Sequence, residues 1–293
     1  MLDKDKKPST HNVIYIFIFL LILILAFVIY RYVSIEKTYI KNSVSLKQLS
    51  QPDRENSIVL EQSQRQEEIT QIFIKDTDIV TDINGQSTYV SLPQTYMTND
   101  FPSIVVYGHG ANVAITDNLT SDYMQKISSV AKIFTAQNYI FIASNQHGDN
   151  WGNKEAITDT YLAINWVQTH YDTSNIIYLL GYSMGGLVTL NFAKEYANTL
   201  NIRAIALLAP TVYDWEWKPE MVERLNNVEI CIWHSPSDYS VHFENSTQLQ
   251  NYFAKYGKEI TLVRVTDDHL KMEQTRMEDV KDFFNKSRDS INR

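Results

Sequence analysis

Short apolar runs alternate with amphipathic segments from about residue 71 to the end of the chain. The runs fit buried strands and are SIVVYGHG (103–110), YIFIASN (139–145), IIYLLGYS (176–183), AIALLAP (204–210), VEICIWHS (228–235) and ITLVRV (260–265). The segments between them have the apolar spacing of helices and lie near 119–137, 154–170, 184–198, 244–256 and 273–286. This alternation predicts an α/β fold, in which a mainly parallel twisted sheet has helices on both faces.

A turn signal, Asn84-Gly85, precedes the first of these strands. It lies between TQIFIKD (70–76) and STYVSLP (87–93), both of which have strand character. The pattern therefore predicts a hairpin that adds antiparallel strands at one edge of the sheet.

The N-terminal part of the chain has a different pattern. Residues 13–30 are apolar and uncharged, and as a helix they would span about 27 Å, close to the hydrocarbon core of a bilayer. Large residues surround Ala26, the only small residue in the run, so no signal-peptide cleavage site is evident. The sequence thus predicts a tail at 1–12, an uncleaved signal-anchor transmembrane helix at 13–33, a polar stalk at 34–70 and the α/β domain at 71–293.

The orientation of this predicted anchor is open, because lysines or arginines lie on both sides of it. A single anchor close to the N-terminus more often leaves the short tail inside and carries the domain out. We therefore expect a single-pass membrane protein with an extracytoplasmic domain.

Composition excludes several classes of partner and cofactor. The net charge is −8 and there is no basic block, which argues against nucleic acid as a partner. The single cysteine, Cys231, excludes an internal disulfide and a thiolate zinc cluster, and its apolar run predicts a buried strand position. The histidines have no ligand spacing, so neither a metal nor another cofactor is expected.

The segment GYSMGG (181–186) ends a predicted strand and opens a predicted helix. A chain that reverses direction so sharply needs glycines two positions before and after Ser183, because side chains there would collide. The turn would expose the Ser183 hydroxyl near a helix N-terminus, where backbone N–H groups can bind an anion. Ser183 is therefore the candidate nucleophile.

GYSMGG resembles the nucleophile turn of the α/β-hydrolase fold, and the resemblance extends over about residues 71–287. In that family an acid and a histidine follow the serine in chain order. The resemblance implies Asp238 as the acid, in HSPSDYSV, although Ser235 replaces the glycine that the family commonly has there. Asp214 is the reserve candidate for the acid. His269, in TDDHLKM after the last strand, is implied as the base.

The same resemblance implies an oxyanion hole, meaning a pair of backbone N–H groups that bind the developing negative charge. Met184, directly after the candidate nucleophile, supplies one N–H. Ala111, in the loop GHGANV, supplies the other, and Gly108 and Gly110 let this backbone approach the substrate. We interpret His109 in that loop as structural rather than catalytic, although it remains a candidate pocket residue.

Two further loops are candidates for the substrate pocket. The loop SNQHGDNWGN (144–153) contains His147 and Trp151, which either face the substrate or belong to an ordinary surface loop. The insert at 211–227 contains Trp215 and Trp217, which either line the pocket mouth or pack the insert. This insert is short, so any lid is small and the site is expected to be open.

The sequence therefore predicts a membrane-anchored serine hydrolase that cleaves an ester of a small-molecule or acyl substrate through an acyl-enzyme. An acyl- or dipeptidyl-type peptidase and an acyltransferase use the same three residues, so both alternatives stay open. A catalytically silent binding module on the same scaffold is the alternative from another class.

Overall fold

The computed structural model describes residues 71–74, 77–214 and 217–290, which belong to one compact unit, Ile69–Arg293. The predicted tail, anchor and stalk lie outside the described residues. Within those described, no helix combines the length and the apolar character needed to cross a membrane.

The described residues form an eight-stranded, mostly parallel sheet at the centre of this unit. Its strands are β2 (Asp78–Ile83), β3 (Gln86–Ser91), β5 (Ser103–Gly108), β6 (Tyr139–Ser144), β7 (Ile176–Tyr182), β8 (Asn201–Leu208), β9 (Glu229–His234) and β10 (Thr261–Arg264). Their order across the sheet is β10-β9-β8-β7-β5-β6-β3-β2. Strands β5 to β10 run parallel, whereas β2 and β3 form an antiparallel hairpin at one edge. The prediction of a mainly parallel sheet with an antiparallel edge is confirmed.

Helices cover both faces of the sheet. They are α1 (Asp122–Thr135), α2 (Lys154–His170), α3 (Gly185–Tyr196), α4 (Pro219–Arg224), α5 (Glu244–Lys255), α6 (His269–Thr275) and α7 (Met277–Asp289). One apolar core lies between the sheet and helices α2, α3, α4 and α5. A second core lies on the other face, under α1, α6 and α7. Two buried cores on one sheet explain why the central strands are apolar on both faces.

The structure corrects three details of the predicted elements. The first strand of the hairpin is Asp78–Ile83, not TQIFIKD, and Gln71–Phe73 (β1) instead pairs with Thr95–Met97 (β4) in a separate two-stranded sheet. The strand β10 is not buried, because it forms the free edge of the sheet and its side chains are partly or fully exposed. The last predicted helix is two helices, α6 and α7, which meet at Arg276.

The order of the strands determines where the functional loops meet. From β5 the chain crosses to β6 on one side and later to β7 on the other, so β5 and β7 are neighbours although two helices separate them in sequence. Gly108 at the end of β5 lies directly opposite Gly181 near the end of β7. This is the topological switch point of the sheet, where loops diverge and leave a crevice.

Candidate active site

The turn after β7 holds Ser183 in a conformation that most residues avoid. Its φ is +53°, in the left-handed region. The carbonyl of Ser183 accepts from the N–H groups of Gly186, at 3.0 Å, and Thr211, at 2.9 Å, and its own N–H donates to Leu208 at 2.9 Å. These backbone bonds hold the strained residue in place, as is common at functional sites.

The glycines of the turn are required by the close approach of backbone segments. A Cβ at Gly185 would lie 2.0 Å from the carbonyl oxygen of Gly108, and a Cβ at Gly181 would lie 2.7 Å from that of Gly185. A Cβ at Gly186 would lie 2.6 Å from the Cβ of Pro210. The predicted need for glycine before and after Ser183 thus has a direct cause, and part of it is contact with the neighbouring strand β5.

The structure brings Ser183, His269 and Asp238 together in one hydrogen-bonded chain. The distance from His269 Nε2 to Ser183 Oγ is 3.1 Å, and that from His269 Nδ1 to Asp238 Oδ2 is 2.7 Å. Because a carboxylate only accepts, Nδ1 carries the proton and the Nε2 lone pair faces the serine hydroxyl. This is the arrangement that a general base needs in order to take a proton from serine.

Local structure positions each of the two partners of Ser183. His269 is the first residue of α6, four residues before the predicted start of the last helix, and the Asp268 side chain caps α6 by accepting the Leu270 N–H at 3.0 Å. Asp238 lies in the turn after β9, where its Oδ1 accepts the N–H groups of Ser240 at 2.8 Å and Val241 at 2.9 Å. A single carboxylate therefore shapes its own loop and holds the imidazole.

The environment of Asp238 favours its ionised form. Burial by itself raises the pKa of this carboxyl group, but the hydrogen bonds from Val241 N–H and from His269 outweigh burial and bring the pKa below its ordinary value of 3.8. The side chain is fully buried. Asp238 is thus a fixed negative charge beside His269 at neutral pH, which is what stabilises an imidazolium.

The loop after β5 lies against the serine turn. A Cβ placed on Gly110 would be 3.6 Å from Ser183 Cβ and 3.0 Å from the Tyr182 ring. Among the described residues, the N–H groups of Ala111 and Met184 have no hydrogen-bond partner. Within the described part of the chain, nothing therefore competes with a substrate oxygen for these two predicted oxyanion donors.

Comparisons with known proteins agree with this architecture. The sequence model of the phospholipase/carboxylesterase family matches residues 143–288. The structure is similar to an esterase of Pyrococcus furiosus (TM-score 0.51, 16% identity, 74% of this chain and 96% of that one). The chain has the α/β-hydrolase fold.

Two other solved structures are also similar to this chain. S-formylglutathione hydrolase of Staphylococcus aureus has a TM-score of 0.52 at 14% identity, over 73% of this chain and 96% of that one. Acylaminoacyl peptidase of Pyrococcus horikoshii has a TM-score of 0.54 at 13% identity, over 73% of this chain and 42% of that one. No curated protein sequence matches the chain. These structural similarities establish the fold. At such low sequence identities the substrate has to be inferred from the site itself.

His109 of this α/β-hydrolase fold is completely buried. Its Nδ1 lies 2.7 Å from the carbonyl oxygen of Gly110 and its Nε2 lies 3.0 Å from that of Asn145. The side chain therefore ties the loop after β5 to the loop after β6, a contact that fits the structural interpretation.

The loop after β6 presents His147 and Trp151 in strained conformations, with φ of +61° and +48°. His147 Nδ1 lies 2.6 Å from the buried Asp159 carboxylate of α2, and Trp151 is 49% exposed. In the same loop Asp149 accepts the Asn112 N–H at 2.7 Å, next to Ala111. The loop thus borders the predicted oxyanion loop, although neither side chain is in hydrogen-bond contact with Ser183, His269 or Asp238.

The remaining candidates lie in the insert after β8. Trp217 packs against Tyr252 of α5, with 5.2 Å between ring centroids, and contacts the core on that face, an arrangement that fits packing of the insert. Trp215 lies outside the described residues. The backbone carbonyl of Asp214, the reserve acid, accepts a hydrogen bond from the Trp217 N–H. It is Asp238, not Asp214, that contacts His269.

Sequence reasoning missed His234, the last residue of β9, which is fully buried. Burial lowers the pKa of His234 below 6.5 despite opposing contributions from Val241 and Asp238, so the ring is neutral at pH 7. Its Nε2–H donates to the Val241 carbonyl at 3.0 Å and its Nδ1 accepts from Ser246 at 2.7 Å. His234 therefore pins both ends of the loop that carries Asp238, and the only sequence signal was a histidine at a strand end four residues before an aspartate.

Proposed function

We propose that this protein is a serine hydrolase that cleaves an ester bond through an acyl-enzyme on Ser183. The observation that carries the proposal is the unbroken chain from Ser183 Oγ through His269 to the Asp238 carboxylate, at a strained turn on the switch point of the sheet. A binding module on this scaffold has no need for all three groups at these distances.

The proposed acylation uses each group once. His269 Nε2 takes the proton of Ser183 as Oγ attacks the ester carbonyl carbon, and Asp238 stabilises the imidazolium. The N–H groups of Met184 and Ala111 hold the oxyanion of the tetrahedral intermediate. His269 then gives its proton to the departing alkoxide, so the alcohol leaves and the acyl group stays on Ser183.

In the second half of the proposed reaction, His269 removes a proton from water, and the resulting hydroxide attacks the acyl carbon. The carboxylic acid leaves and Ser183 regains its proton from His269. An acyltransferase differs only in the group that replaces this water, and a peptidase only in an amine as the leaving group.

Turnover of graded p-nitrophenyl esters beside aminoacyl anilides, by the purified full-length chain, tests the proposal. We expect ester hydrolysis that is lost in Ser183→Ala and kept in Ser129→Ala, a control serine on the surface of α1. Faster cleavage of anilides than of esters would indicate a peptidase rather than an esterase. A folded wild-type chain that turns over neither substrate would favour the catalytically silent binding module.

We also propose that residues 13–33 anchor the protein in a membrane, with the α/β domain outside the cytoplasm. The support is the uncharged 18-residue run at 13–30, which as a helix would have the length of a bilayer's hydrocarbon core. Protease added to intact cells should remove the domain while a cytoplasmic marker survives. A domain that stays protected until the cells are lysed would show the opposite orientation. Recovery of the protein in the soluble fraction would contradict the proposed anchor.

A further inference from the structure

A buried carboxylate lies one helical turn after His269. Glu273 is the fifth residue of α6 and is 1% exposed. Residues four apart in a helix lie on the same face, so His269 and Glu273 both turn toward the sheet. The acyl-transfer steps proposed above make no use of Glu273.

Groups from two other elements hold this carboxylate. The hydroxyl of Tyr107, on β5, donates to Glu273 Oε1, and that of Tyr123, on α1, makes a longer bond of 3.5 Å to the same oxygen. The ammonium group of Lys126, also on α1, pairs with Oε2. Both carboxylate oxygens therefore have partners, and they connect α6 to β5 and α1.

The direction of these hydrogen bonds is fixed. Burial, reinforced by the nearby Glu273 carboxylate, holds the pKa of Tyr107 and of Tyr123 well above its usual range. Both hydroxyls keep their protons and act as donors. A buried ionic group adds little net stability compared with an apolar residue of similar size, so the role inferred below for Glu273 is one of geometry.

A second connection fixes the start of α6. Tyr182, which directly precedes Ser183, donates its hydroxyl to the carbonyl of His269 at 3.0 Å, and its ring lies 5.4 Å from the imidazole. Leu270, which follows His269 in α6, is 74% exposed. A helix of seven residues is too short to be stable alone, so these buried contacts determine where α6 lies.

We propose that Glu273 is a positioning residue for His269. Through Tyr107, whose next neighbour Gly108 approaches the serine turn, Glu273 sets the distance between the histidine-bearing helix and the strands that carry Ser183 and the oxyanion loop. Glu273 acts through His269 and does not contact the reacting atoms. This inference rests on the proposed hydrolase function.

The substitution Tyr107→Phe tests the role most gently, because it removes one hydroxyl. With the Tyr107 hydrogen bond to Glu273 gone, we expect kcat for a p-nitrophenyl ester to fall about tenfold to a hundredfold, the scale of a misplaced general base. KM should change less than about twofold, because the substrate pocket keeps its shape. Glu273→Leu should lose at least as much, and Glu273→Gln, which keeps an oxygen for Tyr107 but no charge for Lys126, should lie between Leu and wild type.

The matched control is Tyr139→Phe. The Tyr139 hydroxyl, on β6, donates to Asn285 of α7 at 3.0 Å, so it also ties the sheet to a C-terminal helix, but to one without a proposed catalytic group. Tyr139→Phe should keep wild-type kcat while lowering the unfolding midpoint about as much as Tyr107→Phe does. Equal loss of kcat in Tyr139→Phe, or wild-type kcat in a folded Tyr107→Phe, would overturn the proposal. If Tyr107→Phe does not fold, Glu273→Gln decides: about a threefold or larger loss of kcat supports the role and wild-type kcat ends it.

A measurement without turnover separates this inference from the proposed function. The proton NMR resonance of His269 Nδ1–H, assigned by its loss in His269→Gln, reports the hydrogen bond to Asp238 directly. We expect Tyr107→Phe to shift or broaden it and Tyr139→Phe to leave it in place. If wild type lacks activity but this pattern is found, the proposed function fails and the positioning role stands; an unchanged resonance in Tyr107→Phe would refute the role whatever the activity.

Discussion

Gly185 provides the sharpest test of how closely the serine turn must approach the end of β5, which leads into the predicted oxyanion loop. In Gly185→Ala the new Cβ would start 2.0 Å from the Gly108 carbonyl oxygen, 2.4 Å from its carbon and 2.8 Å from the His109 carbonyl oxygen. Carbon and oxygen atoms in close contact lie about 3.3 Å apart, so α3 and the end of β5 must separate by about 1.3 Å. All three opposing atoms belong to the backbone, and no side-chain rotation can relieve the overlap.

The effect on activity follows from that displacement. Moving the oxyanion loop by about 1 Å relative to the nucleophile costs on the order of a hundredfold in rate. We expect Gly185→Ala to lower kcat/KM for a p-nitrophenyl ester by about a hundredfold or more. Overpacking of this kind costs about 3 kcal/mol in the free energy of unfolding, which a domain of ordinary stability, at about 5–15 kcal/mol, survives in the folded state.

Two measurements on the same preparation separate these effects, namely steady-state ester hydrolysis and urea unfolding. Gly257→Ala is the control, because Gly257 has a φ of +83° and no atom within 4 Å of an added Cβ. It should lose about 1 kcal/mol from backbone strain while keeping kcat/KM. Wild-type kcat/KM in Gly185→Ala would refute the claim that this close approach aligns the site, and equal loss in both variants would make the effect one of general stability.

Three other outcomes are expected. Asp238→Asn should lower kcat by about four orders of magnitude with little loss of folding, because the imidazole loses its orienting charge; near-normal turnover would remove Asp238 from the mechanism. Although burial opposes it, the hydrogen bonds from Val241 and His269 hold the pKa of Asp238 below 3.8, so the ionised carboxylate stabilises the fold above that pH and this contribution is lost as the pH falls through the lower folded-state pKa. Urea midpoints of wild type and Asp238→Asn should accordingly converge as the pH falls below about 4, and a constant difference would contradict the assignment. Burial raises the pKa of Cys231 to about 12, so a disulfide reagent should modify this thiol only after unfolding, and rapid reaction of the native protein would contradict its buried position.

Much of the fold and of the candidate site follows from local patterns. The strand–helix alternation gave the parallel sheet because buried strands and amphipathic helices have different periods. The requirement for glycine around Ser183 is likewise a property of a few neighbouring residues. That Asp238 and His269 would join Ser183 was implied by the resemblance to the α/β-hydrolase fold, and it agrees with the rule that functional loops lie at the same edge of a parallel sheet.

Features that depend on distant pairing were not predictable in this way. The pairing of β1 with β4 joins two short segments whose own sequences carry no register signal. Glu273 looks like one more charged residue in a polar helix, and only the meeting of α6 with Tyr107 and Lys126 gives it a buried partner set. The start of α6 at His269 does not depend on distant pairing, because Asp268 directly before it is a helix N-cap and is therefore a local signal in the sequence.

The central claim is that Ser183 is an activated nucleophile, and a fluorophosphonate probe measures this most directly. The full-length wild-type chain should gain one probe adduct in intact mass, mapped to the peptide that contains Ser183. Ser183→Ala should gain none, and Asp238→Asn should react far more slowly. A folded wild-type chain that gains no adduct, or an adduct that persists in Ser183→Ala, would contradict the account.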